Sequence, residues 1–175
     1  MDNTIIVFWS DHGYFLGEKG LWFKRKAFER SARVPLIIAA PEGVNGGSSS
    51  QMVELIDLFP TLVDTAGFEV PEDIEGKSLR LLLNDPDADW KEYAITQVHH
   101  GVEAQGYSIR NQRWRYTEWN HGDAGVELYD HENDPEETTN LAQHPEYASV
   151  IQTLSQELQA YSLTYVAVPE KIKKH

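Results

Sequence analysis

The chain has 175 residues, of which 41% are hydrophobic and 25% are charged, so it can bury one sizeable core as one domain or two small ones. Its formal net charge of −13 argues against nucleic acid as a partner, because a phosphate backbone attracts basic surfaces. The absence of cysteine excludes disulfides, thiolate metal sites and a cysteine nucleophile within these residues. No apolar stretch reaches the ~20 residues of a membrane span. Met1 stands directly before a predicted strand, so we also expect no signal peptide here.

The first predicted element is an apolar run at 4–9, with the sequence TIIVFW, which ends abruptly in polar residues. This pattern predicts a buried parallel strand whose carboxyl end presents polar side chains, the place where open α/β sheets carry active sites. Asp11 supplies a hard oxygen ligand, and His12 supplies a neutral nitrogen or a hydrogen bond to an anion. Gly13 permits the strand to break, so that two adjacent side chains can reach one ion.

Gly17 and Gly20 bracket a tight excursion that we expect to return Lys24 to the same region. A lysine there is a compact point charge suited to an oxyanion. Both features also have ordinary explanations, since an Asp-His pair is common in capped turns and the charged run 24–26 is typical of a solvated face. The residues alone therefore support a hypothesis of a cation and an anion bound at one strand end.

The remaining elements of the first half are predicted from apolar spacing and turn residues. They are a short charged helix at 27–33, a second buried strand at 34–40, a loop at 41–50, a helix capped by Asp57 and ending at Ala66, and a short helix at 79–83. A Pro- and Asp-containing linker at 84–90 separates two predicted units, residues 1–84 and 85–175.

The second unit contains alternating runs that predict four short strands, most simply arranged as one antiparallel sheet. The strands are predicted at 93–99, 107–110, 114–119 and 127–130. The acidic segment 134–141 lacks the spacing of a calcium-binding EF-hand loop and is predicted to be a turn. A helix at 145–161 has one apolar stripe and should pack on this sheet, before a flexible tail at 162–175.

Three phrases stand out in the first forty residues: Ser-Asp-His-Gly at 10–13, Leu-Gly-Glu-x-Gly-Leu-Trp-x-Lys at 16–24 and FERSARVPLII at 28–38. Taken together, they closely resemble the type I sulfatases of the alkaline-phosphatase superfamily. Further phrases at 53–67, 108–117 and 127–141 are also sulfatase-like, and Ser-Ile-Arg-x-x-x-Trp-Arg-Tyr-Thr at 108–117 is closest to the iduronate-2-sulfatase type. The resemblance implies an α/β fold: the C-terminal part of an alkaline-phosphatase-like core, plus a small four-stranded antiparallel sheet packed on a C-terminal helix.

The resemblance also implies roles for single residues. Asp11 is expected to bind a divalent cation, usually calcium, and His12 either joins it or contacts the sulfate. Lys24 is expected to contact the sulfate, which makes His12 and Lys24 the catalytic candidates. Lys19 stands where many relatives have histidine, and it is a candidate for substrate binding. His99 and His100, at the end of a predicted strand, are further candidates, with an ordinary surface position as the alternative.

The family's nucleophile is a formylglycine made from Cys or Ser in a C/S-x-P-x-R motif. None of the eight prolines here has Cys or Ser two residues before it, so the formylglycine is expected in a missing N-terminal part, and this chain alone should be inactive. The resemblance implies a periplasmic or secreted parent that hydrolyses sulfate esters, with a sulfated small molecule or saccharide as partner.

Two alternatives remain open. One is a phosphodiester or phosphonate hydrolase of the same superfamily, which shares the metal element. The other is a non-catalytic interaction module. Open strand edges would also allow self-association.

Overall fold

A computed structural model describes residues 3–41, 43, 46–100 and 104–165, with the backbone alone at 100, 104 and 162–165. This described part of the chain contains two separate antiparallel sheets and four helices, with short 3₁₀ turns between them. In chain order the elements are β1 (Ile6–Trp9), α1 (Glu29–Ala32), β2 (Leu36–Ala39), α2 (Leu58–Thr65), α3 (Arg80–Asn84), β3 (Ala94–His100), β4 (Ala104–Arg110), β5 (Trp114–Trp119), β6 (Val126–Asp130) and α4 (Ala148–Tyr165).

The first two strands form a two-stranded sheet, and their arrangement corrects the sequence prediction. β1 pairs with β2 in antiparallel register, with Ile6 opposite Ala39 and Trp9 opposite Leu36. A parallel pair needs a crossover, usually a helix, whereas the chain here turns back through a loop and the four-residue α1. The predicted burial is also wrong within this chain, because Phe8 and Ile37 are 60% and 63% exposed.

The helix α2 begins where the sequence predicts it, with Asp57 at its N-cap position, but the Asp57 side chain makes no capping hydrogen bond to α2. A 3₁₀ turn, Leu55–Asp57, runs directly into α2, and the N-cap of this turn is Glu54. The buried Asp57 carboxylate accepts hydrogen bonds from the Glu54 and Lys77 amides and contacts the Lys91 ammonium. It therefore joins three segments of the chain and does not cap α2. The predicted apolar face of the helix is only partly buried, since Phe59 is 56% exposed.

The second half contains the predicted four-stranded antiparallel sheet, with strand order β3-β4-β5-β6. Its core is the side of the sheet that α4 covers, where Leu154 and Leu158 pack among buried sheet residues. The sheet residues of this core are Tyr107, Ile109, Tyr116 and Leu128. The helix extends to Tyr165, four residues beyond the predicted end, and the rest of the predicted tail lies outside the described residues.

Within the described ranges, no helix has both the length and the apolar content that crossing a bilayer requires.

Two kinds of contact connect the two halves: contacts between aromatic rings, and hydrogen bonds. Phe28, just before α1, makes edge contacts with Phe15 at 6.1 Å and with Tyr129 of β6 at 5.7 Å, measured between ring centroids. The Ile95 amide at the start of β3 donates to a Glu54 carboxylate oxygen at 2.7 Å. The segment around Phe28 is thus packed against the small sheet. The division into two units after residue 84 stays a prediction.

Asp130, the last residue of β6, should make the stability of the fold depend on pH. Hydrogen bonds from Arg113, at 3.0 and 2.7 Å, lower the pKa of Asp130 from 3.8 to about 2. A carboxyl whose pKa falls on folding stabilises the native state fully above its unfolded pKa of about 4, and this contribution is lost as pH falls towards the folded value.

We expect Asp130→Asn to flatten the fall in unfolding free energy between about pH 4 and 2 by about 1–2 kcal/mol, a range reduced because Arg113 is half-exposed. Equilibrium denaturation at several pH values measures this slope. The same slope in the variant and the parent chain would contradict the assignment.

Candidate functional site

The chain breaks sharply after β1, and this turn carries the first two candidate residues. The Gly13 amide donates to the Ser31 carbonyl of α1 at 2.9 Å. A Cβ at position 13 would lie only 2.0 Å from the Arg30 carbonyl oxygen, so the close approach of the turn to α1 requires glycine. Ser10 Oγ donates to the His12 carbonyl at 2.8 Å and closes the turn. Asp11 and His12 are therefore held on a backbone that rests on α1.

Three of the predicted site residues meet at one imidazole nitrogen. His12 Nδ1 lies 2.7 Å from the Gly13 carbonyl oxygen, which can only accept, so Nδ1 carries the proton. Nε2 is then the unprotonated nitrogen. It lies 2.5 Å from Lys24 Nζ and 3.5 Å from Asp11 Oδ2. The Asp11 side chain is 80% exposed and that of His12 is 33% exposed, so both are accessible from solvent.

The donor set fits part of a cation site. A calcium ion takes six to eight oxygen ligands. Asp11 offers one hard oxygen, and His12 Nε2 could add a nitrogen only by giving up its contact with Lys24. The other ligands would have to come from outside this turn. Lys24 adds positive charge beside them, which suits a bound oxyanion. The three side chains lie together at the strand end, and their binding of a cation and an anion stays a prediction.

The loop between His12 and Lys24 folds back on itself as predicted. The Phe15 amide donates to the Phe23 carbonyl at 3.1 Å, and the Gly17 amide donates to the Leu21 carbonyl at 2.9 Å. Gly17 has a φ of 119° and Gly20 a φ of 71°, a region that favours glycine. This hairpin-like excursion returns Lys24 to the imidazole. It also exposes a large indole, since Trp22 is 67% exposed.

Lys19 is placed elsewhere. Its ammonium donates to the Glu137 carbonyl and lies 4.8 Å and 5.6 Å from the ring centroids of Phe28 and Tyr129. These contacts connect the loop to the small sheet and account for the lysine without a substrate. Its predicted role in substrate binding stays a prediction.

The histidine pair lies at the end of β3. His99 is exposed, and its Nε2 is 3.1 Å from Gln97 Nε2, which also donates to the Tyr107 hydroxyl at 3.1 Å. The side chain of His100 lies outside the described residues. The substrate-binding role proposed for both histidines therefore also stays a prediction.

A buried cluster of ion pairs, which was not predicted from the sequence, connects α1 with the small sheet. Arg115 on β5 donates from Nε to Glu137 Oε1 at 2.7 Å and from Nη2 to Glu29 Oε2 at 2.5 Å. His131 Nε2 is 3.0 Å from the same Glu137 oxygen. Glu29, His131 and Glu137 have the spacing of a metal site, with ligand atoms within 4.8 Å of one another. The guanidinium of Arg115, however, already lies between the two carboxylates and takes the place of a cation.

The charges of this cluster shift one another's pKa values. Burial alone would raise the pKa of Glu29, but attraction to Arg115 and its hydrogen bond outweigh burial and lower it. Burial lowers the pKa of Arg110, and the nearby Glu29 only partly offsets this. A sequence signal existed, because the short turn after β4 places Arg110 directly opposite Arg115. Two facing arginines require carboxylates nearby.

The chain resembles known proteins along most of its length. Residues 17–163 match the family described as "N-sulphoglucosamine sulphohydrolase, C-terminal". The chain is 37% identical over 174 residues to N-acetylglucosamine-6-O-sulfatase of Bacteroides thetaiotaomicron. This alignment covers 94% of this chain and 31% of that protein.

Solved structures extend the comparison. A protein in complex with its substrate, D-glucosamine-2-N,6-O-disulfate, superposes with a TM-score of 0.87 at 36% identity, over 99% of this chain and 37% of that one. Phosphonate monoester hydrolase from Silicibacter pomeroyi superposes with a TM-score of 0.81 at 29% identity, over 93% of this chain and 35% of that one. This chain spans about a third of the length of each relative. With its matched region, its four-stranded sheet and its C-terminal helix, it belongs to the N-sulphoglucosamine sulphohydrolase C-terminal family.

Proposed function

We propose that this chain is the C-terminal portion of a sulfatase that hydrolyses sulfate esters of a sugar. The observation that carries the proposal is the meeting of Lys24 Nζ and Asp11 Oδ2 at His12 Nε2, at the end of β1. A carboxylate for a cation and an ammonium for an oxyanion are the two groups that a sulfate-binding pocket needs side by side.

Each residue then has a distinct task. Asp11, with or without His12, holds a divalent cation, which we propose to be calcium. When bound, such a cation supplies positive charge that draws electrons from the sulfate oxygens. Lys24 donates to a sulfate oxygen and neutralises the charge that develops there during hydrolysis. His12 donates from Nδ1 to the Gly13 carbonyl, which leaves Nε2 facing the same space.

The nucleophile comes from outside these residues in this proposal. The chain has no cysteine, and no serine stands two residues before any of its eight prolines, so it contains no formylglycine precursor motif. We therefore propose that a preceding segment would supply the formylglycine nucleophile.

The exposed apolar surface of the first half supports completion by further protein. Phe8, Ile37, Trp22 and Phe59 are all more than half exposed, and they lie on the two-stranded sheet, the site loop and α2. The chain covers only about a third of its relatives' length. We propose that the remaining part of the protein covers this surface; self-association through the edges of β1 and β2 is the alternative.

The sugar specificity is the finer part of the proposal. The similarity to the protein solved with D-glucosamine-2-N,6-O-disulfate supports an aminated, sulfated sugar as the substrate proposed here. The phrase at 108–117 resembles the iduronate-2-sulfatase type, which would favour an acidic sugar instead. His99, His100 and Lys19 remain candidates for selecting between them.

The first test uses the chain by itself. We expect the 175-residue chain to show no turnover of an aryl sulfate in the presence of calcium above that of an Asp11→Ala control. Turnover above the control would mean that a nucleophile lies within these residues, contrary to the proposal.

The second test supplies the missing part. A chimera would join this chain to the preceding two thirds of the Bacteroides thetaiotaomicron N-acetylglucosamine-6-O-sulfatase, in place of that enzyme's own C-terminal third. We expect calcium-dependent release of sulfate from 6-O-sulfated N-acetylglucosamine. A folded chimera without this activity would count against the proposed function.

The second candidate function is hydrolysis of a phosphonate monoester. It is supported by the structural similarity to the phosphonate monoester hydrolase of Silicibacter pomeroyi. The same chimera separates the two, since a phosphonate monoester offered under identical conditions should turn over more slowly than the sulfate ester. Faster turnover of the phosphonate would favour the second candidate.

A further inference from the structure

The carboxylate and the backbone carbonyl of Glu137 contact four groups, one each from the loop before Lys24, α1, β5 and the turn after β6. Its carboxylate accepts from Arg115 Nε at 2.7 Å, lies 3.0 Å from His131 Nε2, and accepts from the Glu29 amide at 2.9 Å. Its backbone carbonyl accepts from the Lys19 ammonium. The residue is 2% exposed, so bulk water has little access to its carboxylate.

The backbone at Glu137 is held in an unusual conformation. Its φ is 55°, in the left-handed region that non-glycine residues rarely adopt. Its amide donates to the Asp134 carbonyl at 3.0 Å, and the Asp134 side chain accepts from the Thr138 hydroxyl and the Thr139 amide. Such conformations persist where the surroundings over-determine them. The acidic turn after β6 therefore presents Glu137 inward in one fixed position.

One contact leads from Glu137 to the turn that carries Asp11 and His12. Glu137 Oε2 holds the first amide of α1, that of Glu29. Two residues later, the carbonyl of Ser31 accepts from the Gly13 amide, and the α1 backbone leaves no space for a Cβ at position 13. A shift of α1 would therefore move the turn that orients the carboxylate and the imidazole.

A second contact leads from Glu137 to the loop that carries Lys24. The Lys19 ammonium on the Glu137 carbonyl fixes the tip of the excursion that folds back through Phe15 and Phe23 to Lys24. Both segments that meet at His12 Nε2 are therefore anchored to one residue of the small sheet's last turn.

We propose that Glu137 is a positioning residue that sets the relative placement of Asp11, His12 and Lys24. It touches none of the three and acts through α1 and Lys19. The inference rests on the proposed function of those three residues, but the coupling itself is a property of this chain. It gives the small sheet a task in the site beyond stability.

Amide hydrogen exchange of the 175-residue chain, followed by NMR, tests the coupling without any hydrolysis assay. Glu137→Gln removes the charge that holds Arg115 and weakens the bond to the Glu29 amide. We expect exchange of the Gly13 amide to accelerate at least about tenfold, with a smaller change for the amides of β5. Leu154→Ala is the matched control, because it loosens the sheet core far from α1 and should accelerate β5 more than Gly13.

Glu137→Asp provides a second variant that keeps the charge. Its shorter side chain should still meet Arg115 but reach the Glu29 amide poorly, so Gly13 should again exchange faster than β5. Equal acceleration at Gly13 and β5 in both Glu137 variants would overturn the proposal, since it indicates general stability alone. Unchanged exchange at Gly13 would overturn it as well. An inactive chimera would leave these exchange results intact and would count only against the proposed function.

Discussion

Replacing Arg115 with methionine is expected to lower the free energy of unfolding by about 3–5 kcal/mol. Its guanidinium is 3% exposed and bonds two carboxylates, those of Glu137 and Glu29, that are 2% and 20% exposed. Methionine keeps the volume of the stem but leaves both carboxylates without their main partner. Removing one member of a buried ion pair costs the desolvation of the charge that remains, which is why the effect is large.

Arg30→Met is the matched control for this prediction. Arg30 lies on the neighbouring α1 and bonds Glu136 at 2.9 Å, but the two side chains are 50% and 57% exposed. Exposed pairs of this kind contribute about 0–1 kcal/mol. Urea denaturation of both variants gives the comparison, and a loss for Arg115→Met no larger than that for Arg30→Met would show that the cluster is not a buried charge network.

Replacing Lys24 with methionine in the chimera is expected to lower kcat/KM for the sulfate ester by about 10²–10³-fold. The ammonium lies 2.5 Å from His12 Nε2, and the proposed function places a sulfate oxygen beside it. A charge that is preorganised contributes to the transition state without a cost of reorganisation. Steady-state kinetics on the purified chimera measures the effect.

Lys26→Met serves as the control for Lys24→Met. The Lys26 ammonium lies 5.4 Å from the Phe23 ring centroid, in the same charged run but away from the imidazole. We expect its kcat/KM to stay within about threefold of the parent chimera, as for a surface charge. Equal losses of activity in both variants would indicate that residues 24–26 act together as a basic patch. They would contradict a specific contact between Lys24 and the sulfate.

Much of the small sheet could be predicted from the sequence because its signals are local. Apolar alternation along 114–119 and the turn around Asn111 fix strand and register over a few residues. The meeting of Asp11, His12 and Lys24 was predictable for a similar reason. Glycines at 17 and 20 close the loop that joins them, within a short stretch of chain.

Features that depend on distant partners were not predictable in this way. The antiparallel pairing and exposure of β1 and β2 follow from the path of the chain between them, which apolar content does not encode. Glu137 was placed in an acidic turn, but its inward direction depends on a left-handed backbone and on partners up to 118 residues away. The same holds for Lys19, whose partner lies on that turn.

A crystal structure of the chimera with calcium and sulfate tests whether Asp11, His12 and Lys24 form one side of a sulfate-binding pocket. We expect an Asp11 carboxylate oxygen about 2.3–2.6 Å from the calcium ion. We also expect the Lys24 ammonium within about 3.2 Å of a sulfate oxygen. Calcium and sulfate bound together at a place that none of the three side chains touches would contradict it.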